Sequence, residues 1–355
     1  MESKKQTLAY ITTNIAPFRV LLLDRLSKCF NIILCYFVEI EKGTKKEYVN
    51  KRSDNIEFSN ISKMSFLKRV KKIKTNKYVI FDGYTGFKKI AIMLLCIFTR
   101  KKYFISVDGV IPKKSGFFKK KLKSLLLRKA VSVFSTNKST NNYLLSINKK
   151  INIVSHIFTT LTNSDRNAIS NLKRGNHWSS KLGLEGNKKN ILFVGKFVKT
   201  KGIYNLLKFA ELYQNKYNFI FVGGNKNELN LPNVSDKFRF ISFLEKDEIL
   251  DLMINCDLFV LPTFTDVWGL VVVEAVSCCL PVVTTYQCNA GTELIKNGIN
   301  GYLFNYSDEQ QLFNCIEKSF DLDYEKLKLY NSKMMEKYTV EEAALLMRKE
   351  LLSHE

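Results

Sequence analysis

The sequence predicts an α/β protein made of two Rossmann-like domains. The chain has 355 residues, which is long for a single core and comfortable for two domains of common size. Apolar runs typical of buried strands alternate with helical patterns in both halves of the chain. Residues 159–189 between the halves are rich in Ser, Asn, Thr and charge, with room for one short helix. We therefore predict domains at 1–165 and 166–337, and a final helix, 338–355, that packs back on the first domain.

The first half shows the alternation of strand and helix in order. A strand ends near Tyr10, an amphipathic helix follows at 20–30, and the N-terminus lacks the apolar core of a signal peptide, so a cytoplasmic protein is expected. The uncharged stretch 90–99 is about half the roughly 20 residues that span a bilayer, and we interpret it as a buried helix. Further strands are predicted at 31–38, 78–81, 103–107, 131–135 and 151–154, and helices at 86–99 and 115–129.

The second half repeats the pattern. Strands are predicted at 190–194, 219–222, 238–243, 258–261 and 281–285, helices at 202–217 and 246–255, a turn region through Gly301, and helices from Asp308 onward. Eight cysteines show no paired spacing and lie mostly in apolar segments. This usage predicts buried thiols in a reducing compartment, and neither a zinc site nor a disulfide framework.

The excess of positive charge is confined to the first half of the chain. Residues 1–185 hold 37 Lys and Arg against 11 Asp and Glu, whereas residues 186–355 hold 19 against 22. This asymmetry predicts a polyanionic partner for the first half, such as an anionic membrane surface, a nucleic acid or an anionic polymer. A solubility device in a lysine-rich proteome would give the same composition.

A lysine-rich loop between the predicted strand 190–194 and helix 202–217 indicates an anion site. Lys196, Lys199 and Lys201 lie there between Gly195 and Gly202, in a half of the chain without excess positive charge. Backbone N–H groups and a helix N-terminus at such a place suit a diphosphate, although a solvated turn is an equally good interpretation of the spacing alone. Gly223 follows the next strand and would let a ligand approach the backbone closely.

Two carboxylates follow the predicted strand 258–261. Asp266 falls in the turn after Pro262, and Glu274 lies within the helix that begins at Gly269. In α/β proteins ligands bind at such turns from strand to helix. The pair could act as a general acid and base or accept hydrogen bonds from sugar hydroxyls, while acids near a helix start also favour the helix dipole.

Taken together, these motifs resemble glycosyltransferase family 4, a group of retaining enzymes with the GT-B fold, in which two Rossmann-like domains face a central cleft. The likeness is strongest from Ile191 to Phe304 and weaker over the first half. The matching residues are Gly195-Lys196 with Lys201-Gly202, Pro262-Thr263, Asp266, Glu274-Ala275, Cys279-Leu-Pro-Val-Val283, Glu293-Leu-Ile295 and Asn300-Gly301.

The resemblance implies that residues 166–337 bind a nucleotide diphosphate sugar and that residues 1–165 bind the acceptor. Glu274 would hold the ribose hydroxyls, Lys196 and Lys201 the diphosphate, and Asp266 the transferred sugar. It implies no metal and no other cofactor. The further donor contacts it implies are Gly195, Gly223, Pro262, Gly269 and Leu270. Four positions depart from the family pattern: Lys196 replaces an arginine, Asp266 a glutamate, Cys279 a glycine and Trp268 a phenylalanine.

Candidate residues of the first half are fewer. Asn14, Phe18 and Arg19 resemble the first loop of many family members, which lies against the donor phosphates or the acceptor. Asp108, at a strand end, falls about where some members have an active-site histidine, which makes it a candidate catalytic residue on the acceptor side. An Asp-Gly turn is the alternative interpretation of this residue.

The segment 113–129 combines cations with aromatic residues and a leucine cluster, a pattern typical of a helix that binds anionic lipid head groups. A core-packed helix with a solvated basic face would show the same pattern. The residues assigned to a membrane contact are Lys113, Lys114, Phe117, Phe118, Lys119, Lys120 and Lys121.

The predicted function is therefore that of a bacterial, hexosyltransferase-like retaining enzyme, peripheral at the inner face of the cell membrane. It would transfer a sugar from a nucleotide sugar, UDP-linked for example, to a lipid-linked or cell-envelope glycan such as a capsule or O-antigen. A related GT-B enzyme, namely a nucleotide-sugar epimerase or a phosphorylase, is one alternative. A basic nucleic-acid-binding protein is another, but recognisable nucleic-acid-binding motifs are lacking, so no nucleic acid partner is expected.

Overall fold

The structure is a computed structural model, and it describes residues 5–38, 53–110, 116–229, 231 and 234–354. The chain divides into two compact units. The first comprises residues 1–160 with 339–355, and the second comprises residues 161–338. The sequence-based boundaries are 165 and 337.

The first unit contains a seven-stranded sheet in which every described strand pair is parallel. In the strand order, β3-β2-β1-β4-β5-β6-β7, β1 lies next to the central strand β4, and the order reverses between these two strands, as in doubly wound folds. The strands are β1 (Gln6–Asn14), β2 (Phe30–Val38), β3 (Ile56–Asn60), β4 (Tyr78–Asp82), β5 (Phe104–Val107), β6 (Val133–Ser135) and β7 (Ile153–Ser155).

Helices cover both faces of this sheet, because alternate strand residues point to opposite sides and both sets are apolar. On one face, Ile11 and Phe81 pack against α2 (Phe66–Lys74), α3 (Phe87–Phe98), α4 (Phe117–Lys129) and α5 (Lys138–Ile147). On the other face, Tyr10 and Ile80 pack against α1 (Pro17–Ser27) and α14 (Val340–Leu352).

The final helix, α14, thus belongs to the first unit although it follows the second in the chain. Ala344, Met347 and Leu351 lie in the apolar cluster on the α1 side of the sheet. Glu341 accepts a hydrogen bond from the guanidinium of Arg25 on α1 at 2.8 Å.

The second unit contains a six-stranded sheet in the order β10-β9-β8-β11-β12-β13, again with parallel pairs. Its strands are β8 (Lys189–Val194), β9 (Tyr217–Val222), β10 (Arg239–Ile241), β11 (Leu258–Leu261), β12 (Val282–Thr285) and β13 (Gly301–Phe304). Its helices are α6 (Asn163–Asn171), α7 (His177–Leu182), α8 (Ile203–Tyr213), α9 (Lys246–Ile254), α10 (Leu270–Ser277), α11 (Asn289–Leu294), α12 (Glu309–Ser319) and α13 (Tyr324–Met335).

The predicted α/β class with two Rossmann-like domains is confirmed, but several elements differ from the prediction. The segment 202–217 is not one helix, because α8 ends at Tyr213 and β9 begins at Tyr217. The predicted turn region before Gly301 contains the helix α11, and Gly301 opens the sixth strand. The sequence patterns missed β3, α2 and α5, and the junction holds two helices, α6 and α7.

The stretch 90–99 is predicted to be a buried helix; it is helical, but only one of its faces is buried. Ile92, Met93 and Cys96 face the core, whereas Phe98 on the same helix is 86% exposed. The short apolar stretch therefore has an inner and an outer face.

Candidate active site

In the second unit, the loops that follow β8 and β11 touch each other at the carboxyl edge of the sheet. The Phe264 N–H donates to the carbonyl of Thr200 at 2.9 Å, and the Thr263 hydroxyl donates to the same carbonyl at 2.7 Å. Adjacent parallel strands place their carboxyl ends at one edge, where α/β proteins bind ligands. The lysine-rich loop and the loop of Asp266 are thereby joined.

Two glycines permit close backbone contacts at this edge, Gly202 with the loop after β11 and Gly223, which follows β9, with the loop after β8. At Gly202, φ is 74°, and a Cβ atom there would lie 1.6 Å from the carbonyl oxygen of Pro262. At Gly223, φ is 118°, and a Cβ atom would lie 2.4 Å from the carbonyl oxygen of Gly195. Any larger residue at either position would push the loops apart.

An ion pair joins the two loops. Lys201 Nζ lies 2.5 Å from Asp266 Oδ2, and the side chains are 29% and 13% exposed. The backbone fixes the carboxylate, since the Asp266 N–H donates to the carbonyl of Gln287 at 3.0 Å and the Trp268 N–H donates to Asp266 Oδ1 at 3.4 Å. The charge of Lys201 therefore lies at a defined point beside the loop.

The helix α10 starts directly after this carboxylate. Gly269 caps it with φ of 99°, and Asp266 Oδ2 would lie 3.7 Å from a Cβ atom at that glycine. Leu270 opens the helix, and Glu274 is half-buried one turn later. Burial, with the nearby Asp266, raises the pKa of the Cys288 thiol beneath Gly269 to about 12 and keeps it protonated.

The other lysines of the loop are more open. Lys196 and Lys199 are exposed, and Lys199 and Lys201 belong to a single 3₁₀ turn that leads into Gly202 and α8. Three cations, the helix start at Gly202 and a second helix start at Gly269 thus border one sheet edge. Such an arrangement stabilises a bound anion. The stabilisation is greatest for an anion whose negative charge increases during a reaction.

At the corresponding edge of the first unit, Arg19 forms a buried cluster with two carboxylates. Arg19 Nη2 lies 2.8 Å from Asp108 Oδ2 and 3.0 Å from Asp82 Oδ1, and Arg19 Nη1 donates to the Tyr10 hydroxyl. The Thr12 hydroxyl donates to Asp82 Oδ2 at 2.7 Å. Burial raises the pKa of Asp108, and Arg19 opposes that shift.

Arg19 and Asp108 were predicted separately, as a loop residue and as a catalytic candidate, and the structure brings them together. Asp82 was not among the predicted site residues. The sequence feature that could have identified it is the Asp82-Gly83 pair at the end of β4, which corresponds to the Asp108-Gly109 pair after β5. Arg19 is thus a buried partner of both acids and not an open loop residue.

A small cavity adjoins this cluster. Phe18, Arg19, Asp108 and His156 are among its lining residues, and Phe18 packs edge-on against Phe158 with ring centroids 4.9 Å apart. Burial, with a smaller effect of Arg19, lowers the pKa of His156 to about 4, so the ring is neutral at pH 7. Asn14 is half-buried at the end of β1.

Five of the seven residues assigned to a membrane contact lie in the helix α4. Phe117, Phe118, Lys119, Lys120 and Lys121 are exposed in the first turns of α4. Lys113 and Lys114 lie outside the described residues. Within the part of the chain that the structure describes, no group of three His, Cys, Asp or Glu side chains could hold a metal ion.

Two Rossmann-like units with parallel sheets, the second carrying the lysine-rich loop and the Asp266 turn, are the architecture of the GT-B fold. Residues 176–334 match the family model described as "Glycosyl transferases group 1". The matched range lies within the second unit.

Known proteins similar to this chain include two curated relatives and a solved structure. The chain is 24% identical, over 73% of its length and 74% of the relative's, to an "Uncharacterized 41.2 kDa protein in cps region" of Klebsiella pneumoniae. It is 27% identical, over 39% of its length and 37% of the relative's, to the "N,N'-diacetylbacillosaminyl-diphospho-undecaprenol alpha-1,3-N-acetylgalactosaminyltransferase" of Campylobacter jejuni. Its fold is similar to that of Anabaena HepE, solved in complex with UDP, with a TM-score of 0.71, 16% identity and coverage of 98% of this chain and 100% of that one.

Proposed function

We propose that the protein transfers a hexose or related sugar from a nucleotide diphosphate sugar to a lipid-linked or cell-envelope glycan, with retention of the anomeric configuration. The observation that carries this proposal is the Lys201–Asp266 pair, held at the contact of two loops beside the start of α10. It provides a cation for a leaving diphosphate next to a carboxylate that can accept a hydrogen bond from a sugar hydroxyl.

The proposed roles follow from this placement. Lys196 and Lys201 bind the diphosphate, the N-terminus of α10 adds N–H donors, and Glu274 accepts hydrogen bonds from the ribose hydroxyls. Gly195 and Gly223 let the nucleotide approach the backbone. We propose UDP as the nucleoside diphosphate, because the similar fold of HepE was solved with UDP bound.

Departure of the nucleoside diphosphate leaves about one additional negative charge on its oxygen atoms. Fixed cations stabilise that charge more in the transition state than in the bound donor, and this difference accelerates the reaction. Asp266 holds Lys201 before the donor binds, so a donor phosphate must share or replace the carboxylate as the partner of the ammonium.

The proposed acceptor is a glycan at the cytoplasmic membrane surface. The name of the Campylobacter jejuni relative describes transfer to a diphospho-undecaprenol compound, and that of the Klebsiella pneumoniae relative places it in a cps region. Within the described ranges, none of the helices is long and apolar enough to span a bilayer. We propose that the exposed cations and aromatic residues of α4 bring the enzyme to the membrane surface.

Two measurements test the donor site. A thermal-shift screen with UDP, GDP, ADP and their sugars identifies the base, because a bound ligand raises the unfolding temperature by mass action. Transfer and donor hydrolysis are then measured for Lys201→Ala and Glu274→Ala, each expected to lose about a hundredfold or more in kcat/KM.

The matched control is Lys208→Ala. Lys208 forms an exposed ion pair with Glu309 at 2.6 Å in the same unit, away from the loops of the proposed site. Unimpaired transfer by both site variants would refute the proposed site. An epimerised sugar nucleotide, formed without added acceptor, would show that the enzyme is an epimerase and not a transferase.

A further inference from the structure

The helical layer formed by α2, α3, α4 and α5 on one face of the first sheet contains cations and no acid. Lysines and arginines number five on α2, two on α3, six on α4 and one on α5, and none of these helices contains an aspartate or glutamate. We name this face of the first unit the cationic layer. Much of the positive charge of the first unit is therefore concentrated on one face of its sheet.

The opposite face of the same sheet has an ordinary charge balance. The helix α1 contains Asp24 beside Arg25, and α14 contains three glutamates with one arginine and one lysine. Arg25 is paired with both Asp24 and Glu341 at 2.8 Å. If the positive charge served solubility alone, acids would not need to be absent from the helices of one layer while they form ion pairs with cations in the other.

Within the cationic layer, α3 presents an apolar stripe to solvent. Phe87 and Phe98 are each 86% exposed, and Leu94 between them is also exposed. Spacings of seven and four residues place these three side chains on one side of the helix, opposite the buried Ile92 and Cys96. The stripe covers about 16 Å of helix length, since each residue adds 1.5 Å.

The neighbouring helix α4 extends this surface. Phe118 is 85% exposed, Leu125 seven residues later is exposed on the same side, and Lys121 Nζ lies 4.5 Å above the ring of Phe117. The two helices share one apolar core, in which Ile90 and Ile97 of α3 and Leu122 of α4 take part. Exposed aromatic residues on adjacent helices therefore lie among lysines, on two helices that contain no acid.

We propose that α3 together with α4 forms a docking surface for an anionic lipid bilayer, with Phe87 and Phe98 entering the interface between head groups and acyl chains. The charge of the cationic layer is complementary to anionic head groups, and apolar side chains that project beyond the lysine stems are what an interfacial helix inserts. This inference rests on the proposed membrane-bound acceptor for its biological reason, and it assigns the insertion to α3 in addition to α4.

The test is co-sedimentation of the full chain with vesicles of phosphatidylcholine, with or without phosphatidylglycerol, in the absence of donor. We expect binding to the phosphatidylglycerol vesicles, weakened by salt, and little binding to the neutral ones. The Phe87→Ser/Phe98→Ser variant should bind the anionic vesicles at least about tenfold more weakly. The control Leu212→Ser/Leu329→Ser changes two exposed leucines of the second unit and should bind like the wild type.

A second variant reports insertion directly. Phe98→Trp places an indole at an exposed position, whereas Trp178 and Trp268 are buried, and its emission should shift to the blue on anionic vesicles. Unchanged binding by the double serine variant, or no emission shift, would overturn the role of α3.

Tighter binding to an oligonucleotide than to vesicles at the same salt would also overturn the proposal. Transfer to a soluble acceptor analogue is measured separately, so a failure of membrane docking and a failure of the proposed enzymatic function give different results.

Discussion

The two units place charged side chains at the carboxyl edge of their sheets, but each unit holds those charges differently. In the first unit, Arg19 is 5% exposed and lies between two carboxylates, Asp82 and Asp108. In the second unit, Lys201 has the carboxylate of Asp266 beside it and is 29% exposed. If the buried guanidinium of Arg19 moved away, two carboxylates would lose their partner. The partly exposed ammonium of Lys201 can instead exchange its carboxylate for a ligand.

Two sheets of similar topology thus place charged side chains at the same edge for different purposes. We infer that the cluster around Arg19 mainly stabilises the first unit, and that the charge of Lys201 mainly serves the proposed donor. The first inference predicts large effects on the free energy of unfolding, and the second predicts small ones with a large effect on activity.

The largest effect is expected from Arg19→Leu. It would leave Asp82 and Asp108, whose side chains are 20% and 19% exposed, without the guanidinium between them, which costs about 3–5 kcal/mol of the free energy of unfolding. Urea unfolding measures this loss. Adding Asp82→Asn and Asp108→Asn should recover part of it, and Arg25→Leu, at a partly exposed ion pair, should cost about 1 kcal/mol or less. A loss of less than 1 kcal/mol for Arg19→Leu would contradict the buried-cluster interpretation.

The second prediction concerns the loop contact in the second unit. Gly202→Ala should cost about 3 kcal/mol, since a positive φ disfavours alanine and its Cβ atom would collide with the Pro262 carbonyl. The control is Gly186→Ala, where no atom lies within 4 Å of the added Cβ. Thermal unfolding of both variants measures the difference. Equal stability of the two variants would show that the loops can separate freely.

The third prediction uses the pH dependence of the first unit. The pKa of His156 is lowered from 6.5 to about 4, so the unfolded chain takes up a proton between these values and the folded chain does not. His156 therefore contributes stability above pH 6.5 that is lost as the pH falls, by about 2 kcal/mol at pH 5. Urea unfolding at pH 7 and pH 5 should show a smaller loss for His156→Gln than for the wild type. Identical losses would contradict the lowered pKa of His156 in the folded protein.

The main elements could be predicted where local pattern decides structure. The strand β11 was predicted at 258–261 and occupies those residues, because a short apolar run lies between Asp257 and Pro262. The strand β13 and the helix α11 were missed. The strand β13 starts at a glycine and lacks an uninterrupted apolar run like that of β11, and the six residues of α11 are too few to show a helical period.

The charged contacts show a different limit of sequence analysis. Lys201 and Asp266 were both singled out, but their pairing depends on the approach of Gly202 to Pro262 and could not be derived from spacing. Asp82 resembled a turn residue, and its contact with Arg19 requires β4 to pair with β1. The exposure of Phe98 was also unpredictable, since a helix that is apolar all round is usually buried.

The smallest stability effect is expected from Lys201→Met, and it decides between the two uses of charge. Its ion pair with Asp266 is partly screened by solvent, so the loss in the free energy of unfolding should be about 1 kcal/mol or less. The thermal shift caused by saturating UDP should nevertheless fall sharply, while Lys208→Met keeps it. A destabilisation comparable with that of Arg19→Leu, together with an unchanged UDP shift, would make Lys201 a structural residue like Arg19. In that event the two sheet edges would use their charges alike, and Lys196 would be the remaining candidate for the phosphate contact, because it is exposed at the same loop.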